Sequence, residues 1–102
     1  MFKRIELNTL TVWKFVFESA DHTIEIPKGA MLLSVHEQLE TICLWALVDP
    51  NVGKESRRFL TIGTGHTVPK ELSVNFIGSL GMRNWQFVFH IFEVLSPKEV
   101  TQ

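Results

Sequence analysis

Four consecutive residues, Gly63, Thr64, Gly65 and His66, close an alternating apolar run and have the composition of an anion-binding corner. Glycine reaches left-handed backbone conformations without steric cost, so two glycines around a threonine can turn successive N–H groups toward one anion. The Thr64 hydroxyl and the His66 imidazole add polar groups, and Arg57 or Arg58, a few residues upstream, has the planar fork that grips a phosphate or carboxylate. Trp45 is the aromatic that would stack on a nucleobase. The candidate ligand-binding set is therefore Gly63, Thr64, Gly65, His66, Arg57, Arg58 and Trp45, and the ligand it points to is a small, anionic, nucleotide-like molecule. A tight structural turn is the competing account of the same glycines. The motif lacks the Lys-Ser/Thr of a P-loop and the third glycine of a dinucleotide-binding turn, so no cofactor is implied.

Other chemistry has less to stand on. His66 with Asp49 has the residue types of a base and its orienting carboxylate. No serine or cysteine sits in a nucleophile motif beside them, so catalysis is not expected and no catalytic residue is assigned. His22, His36, His66 and His90 have no short metal-ligand spacing, and no metal site is expected. His90, inside an aromatic run, reads as a hydrogen-bonded interior or interface residue.

The elements that must hold these groups are strands. Residues 41–48 are apolar on both parities, with Ile42, Leu44, Ala46 and Val48 on one side and Cys43, Trp45 and Leu47 on the other, as in a strand buried between two layers. Asp49, Pro50, Asn51 and Gly53 end it in a loop. From Ser56 to Gly63 the period is two again, which puts Arg57 and Arg58 on opposite faces. The simplest arrangement is that these two runs pair antiparallel. A pairing with Asp49 or Glu55 is expected for whichever arginine the ligand does not use. Upstream, residues 11–17, 22–26 and 31–38 alternate in the same way, and residues 1–9 prolong the first strand or add a short one. Downstream, residues 72–80 and 85–94 alternate, and residues 67–71 hold at most one helical turn at Pro69. Trp13, Trp45 and Trp85 are most economically core residues.

Strand-like runs at a spacing of about ten residues, seven in all, predict an all-β fold: an antiparallel β sandwich or a small, partly open barrel. The 102 residues make one domain, with its core over about 11–94 and a polar tail over 95–102. Ten Lys and Arg against eleven Asp and Glu give a formal charge of −1, which disfavours duplex nucleic acid or an anionic membrane as partner. The single cysteine, Cys43, has no internal partner and suits a reducing compartment. No signal peptide and no apolar run of membrane-spanning length is present, so a cytoplasmic protein is expected.

Several segments resemble a family of small uncharacterised proteins encoded by bacteriophages and prophages. They are Ile26-Pro27-Lys28-Gly29-Ala30, Leu33-Ser34-Val35, Leu44-Trp45-Ala46-Leu47-Val48-Asp49-Pro50, Arg57-Arg58-Phe59, Gly63-Thr64-Gly65-His66, Phe76-Ile77-Gly78 and Val88-Phe89-His90-Ile91-Phe92-Glu93. The resemblance covers roughly residues 11–94. It implies a phage context, the host cytoplasm and a small single domain, and it names no catalytic residue. The expectation is a non-enzymatic phage binding protein that sequesters a small anionic molecule, of an anti-defence type. A homo-oligomer is expected, because the last strand is apolar on both faces and an open sheet leaves edges to cover. A protein-interaction module that inhibits a host protein, or a small virion or assembly subunit, is the alternative.

Overall fold

The computed structural model describes residues 10–95. The expectations for residues 1–9 and for the tail beyond residue 95 lie outside the described residues. Seven strands follow in order: β1 Thr11–Phe17, β2 Asp21–Pro27, β3 Met31–Gln38, β4 Thr41–Val48, β5 Lys54–Gly63, β6 Val74–Met82 and β7 Phe87–Val94. They form two antiparallel sheets, β1-β4-β3 and β2-β5-β7-β6, packed face to face as a small sandwich that does not close into a barrel.

Alternation builds the core. The even residues of β4 face inward, and Leu44, Ala46 and Val48 are fully buried. From the other sheet Ile26, Phe59 and Ile91 meet them, also fully buried, with Phe17, Ile24 and Leu80 around them. Burying each large side chain contributes about 1.5–3 kcal/mol relative to leaving it in water. Trp13 and Phe15, on the edge strand β1, pack against this core and stay half-exposed.

The expected pairing of β4 with β5 is not what forms. β4 lies between β1 and β3, and β5 lies between β2 and β7, so the loop at residues 49–53 carries the chain from one sheet to the other. β4, apolar on both sides, takes the centre of one sheet, and β5 shares the interior of the other with the aromatic strand β7. The Asp49 carboxylate accepts the Asn51 N–H at 3.0 Å, and the Lys28 N–H donates to the Gly53 carbonyl at 2.8 Å, which ties the crossover to the β2–β3 turn. β4 is also not sandwiched between two layers. Its inner face is covered, whereas Trp45 and Leu47 on its outer face are only half-buried.

At Pro69 there is one turn, closed by the Leu72 N–H to the Pro69 carbonyl at 3.2 Å, and no helix. Trp85 is not a core residue. It sits in the β6–β7 turn, 66% exposed, in a run of three left-handed residues: Arg83 (φ 53°), Asn84 (φ 55°) and Trp85 (φ 67°). The β3–β4 turn is also left-handed, at Leu39 (φ 54°) and Glu40 (φ 66°), the geometry that two-residue hairpins need to match strand twist.

Candidate functional site

The Gly63–His66 corner leaves β5 beside the start of β7, where Gly63 pairs with Phe89. The His66 N–H donates to the Gly63 carbonyl at 3.0 Å and closes a tight turn, with Gly65 at φ 91° where only glycine is unstrained. The Thr64 N–H donates to the Val88 carbonyl at 3.1 Å. Two of the three amides of an anion nest are therefore spent on the fold, and Gly65 N–H alone lacks an acceptor among the described residues. The His66 ring folds back against Gly63.

Arg57 and Arg58 do fall on opposite faces, and each finds a carboxylate from a strand other than the two expected partners. Arg57 points inward and grips Glu93 in bidentate fashion, Nε to Oε2 at 2.6 Å and Nη2 to Oε1 at 2.8 Å, while Nη1 donates to the Ala30 carbonyl at 2.9 Å. The hydrogen-bonded carboxylate raises the pKa of Arg57 further, against the opposing effect of burial. Arg58 points outward and holds Asp21 the same way, at 2.9 and 2.8 Å, and this hydrogen bonding pulls the Asp21 carboxyl below its ordinary range. An open cleft of about 370 Å³ lies beside this cluster, lined by Glu55, Ser56, both arginines and Glu93; its two guanidinium groups are already neutralised.

Distance separates the candidates further. Arg57 and Arg58 lie six and five residues up β5 from Gly63, roughly 20 and 17 Å along an extended strand. Trp45 stands on the outer face of the other sheet, opposite Lys14 and Ser34, with the His36 ring at 6.1 Å. A second open cleft, of about 540 Å³, lies between Phe17, Ile42, Thr61 and Met82. Its only charged lining residues are Glu18 and Glu40, a lining that disfavours anions.

What the structure does bring to Thr64 is His90 and Ser79. Thr64 Oγ1 lies 2.8 Å from His90 Nε2, and Ser79 Oγ lies 2.7 Å from His90 Nδ1. His90 is thus the hydrogen-bonded residue its setting suggested. Ser79 carries no sequence signal beyond its parity; it becomes relevant because a bulge between Phe76 and Gly78 puts it opposite His90.

Fold and surface together define a small antiparallel β sandwich with two carboxylate–arginine pairs, exposed aromatic and aliphatic side chains on its outer faces, and no metal-ligand cluster among the described residues. No described helix is long and apolar enough to cross a membrane. The chain belongs to the family described as "Domain of unknown function (DUF7352)", whose model matches residues 8–102. No curated protein and no solved structure matches it.

Proposed function

We propose that this chain is a non-enzymatic binding module that works through protein contacts, with the outer face of the β1-β4-β3 sheet as its docking surface and a second copy as the first partner. The observation that carries this reading is that β4 is apolar on both sides while its outer side has no covering layer among the described residues. Around Trp45 and Leu47 stand Val12 (54% exposed), Val16, Met31 and Leu33 (47% exposed). Three strands about 4.8 Å apart and about 25 Å long give the whole face a projected area of about 350 Å², and its apolar side chains flank a central polar row of Lys14 and Ser34 beside Trp45. The face carries one formal charge, Lys14 beside Trp45, whose ammonium leans away along the sheet to donate to Gln38 Oε1 at 2.8 Å.

Sedimentation velocity at micromolar concentrations tests this. A dimer that dissociates in Leu33→Lys and Val12→Lys, both exposed positions, is the expected result; a wild-type chain that stays monomeric overturns it. The same face would serve a host protein in the phage setting that the sequence resemblance implies. Sequestration of a nucleotide-like anion at Gly63–His66 keeps one supporting feature, the free Gly65 N–H, and calorimetric titration with cyclic and linear nucleotides decides it.

A further inference from the structure

A different face carries a different kind of site. On the outer side of the four-stranded sheet, cross-strand pairing lines up three rows. Leu60, Phe92 and Phe76 form the first, Ile62, His90 and Ser79 the second, and Thr64, Val88 and Gly81 the third. Phe76, 59% exposed, meets Phe92 edge-on with ring centroids 5.6 Å apart. Beyond the polar row, the Trp85 indole lies flat on Gly81, so close that a Cβ there would collide with it. Successive rows on one face lie about 7 Å apart, so exposed aromatic groups stand roughly 14 Å apart with the hydroxyl–imidazole row between them.

The His90 ring bridges two hydroxyls, Thr64 Oγ1 at Nε2 and Ser79 Oγ at Nδ1, and Thr64 Oγ1 also lies 3.3 Å from the Val88 carbonyl. Whichever ring nitrogen carries the proton, Ser79 Oγ and Thr64 Oγ1 keep lone pairs that face solvent. Apart from His90, the outward side chains of β6 and β7 (Val74, Phe76, Ser79, Val88, Phe92 and Val94) carry no ionisable group. None of the three rows carries a Lys or Arg to hold a phosphate, and Arg58, opposite Val94 one row further on, is already paired with Asp21. A ligand suited to this surface is uncharged, exchanges hydrogen bonds with hydroxyls, and has faces that lie on aromatic rings.

We propose that the outer face of β6 and β7, with Trp85 and Phe76 as platforms and Ser79 and Thr64 as acceptors, binds a short neutral glycan. Sugar hydroxyls donate to the two oxygens, and the partly positive C–H faces of the pyranose rings rest on the negative faces of the indole and phenyl rings. About 14 Å is the span of two to three sugar units. The left-handed residues Arg83, Asn84 and Trp85 make the tight β6–β7 turn, and that turn sets the exposed indole over Gly81.

The test is an array of neutral and anionic oligosaccharides probed with the full chain, followed by intrinsic fluorescence titration of the hits. Single-stranded oligothymidylate serves as the nucleic-acid control. Saturable binding of at least one neutral glycan, insensitive to salt between low and physiological ionic strength, is expected. Its affinity should fall at least tenfold in Trp85→Ala and in Phe76→Ala, both exposed, and severalfold in Ser79→Ala. Gly81→Ala, which displaces the indole without removing it, should weaken binding as Trp85→Ala does. Leu33→Lys on the other sheet should leave binding unchanged whether or not the chain dimerises. Absence of any neutral glycan ligand for the folded wild type, binding unaltered by Trp85→Ala and Phe76→Ala, or preference for the oligothymidylate would each overturn the proposal.

Discussion

The outward sides of the two sheets differ more than their inward sides do. Inside, both contribute aliphatic residues and phenylalanine to one core. Outside, the three-stranded sheet shows Val12, Val16, Leu33, Trp45 and Leu47 around a single lysine, with Ser34 beside Trp45 and His36 and Gln38 toward the β3–β4 turn. The four-stranded sheet is divided: its β2–β5 half carries Asp21, Glu25 and Arg58 in mutual contact with neighbours, and its β6–β7 half carries aromatic rings on either side of a closed hydroxyl–imidazole network. The lesson is that alternation gives each strand two faces, but the neighbour of each strand decides whether an outward residue becomes part of an apolar patch, an ion pair or a polar row.

The largest expected effect separates inside from outside on one strand. Leu44→Ala on the inner side of β4 should cost about 3 kcal/mol in denaturant unfolding, since a fully buried leucine leaves a cavity. Leu47→Ala, three residues on and outward, should cost less than about 1 kcal/mol; similar losses at both would mean that the outer face is covered in the folded chain.

Next comes the contrast between the two arginines. Glu93→Gln leaves the partly buried Arg57 guanidinium without its carboxylate and should destabilise by about 2 kcal/mol, below the range for a fully buried pair because both groups keep some solvent contact. Arg58→Gln, at the exposed pair, should produce no resolvable change. Equal effects would erase the distinction between a structural and a surface ion pair.

A smaller effect is expected at the left-handed turns. Glu40→Gly, at φ 66°, should raise stability by about 0.5–1 kcal/mol by relieving backbone strain, because glycine keeps the 2.7 Å bond from the residue 40 N–H to Glu37 Oε2. A thermal melt reads it directly.

The smallest is a pH effect. Hydrogen bonding to Arg58 lowers the Asp21 pKa from 3.8 in the folded chain, so its contribution is present above the unfolded value and is lost as pH falls through the folded one. Asp21→Asn should therefore leave stability at neutral pH almost unchanged and slightly reduce the acid-induced loss below about pH 4. A steeper acid loss in the variant would reverse the sign of that linkage.

Much of the secondary structure was legible because period-two alternation is a local property. The strand spans, the opposite orientation of Arg57 and Arg58, the turn after Gly63 and the hydrogen-bonded setting of His90 all follow from parity and turn chemistry. Partners were not legible. Asp49 and Glu55 were the nearest acids in sequence to the arginines, yet Glu93 and Asp21 hold them, because β5 lies between β7 and β2. Trp85 reads as a strand and core residue because it begins an aromatic run. In the fold, the turn claims it, and no local signal marks three successive left-handed residues without glycine.

By itself the sequence determined that this chain forms short antiparallel strands, that one layered core is filled by their inward residues, and that a glycine turn ends β5, since each of these depends on neighbours within a few positions. Only the tertiary structure decided that β4 and β5 head different sheets, that both arginines are neutralised, and that Thr64, Ser79, His90 and Trp85 share a surface. Those outcomes depend on strand order, and strand order is set by how the whole set of apolar faces is best buried, which no single segment encodes.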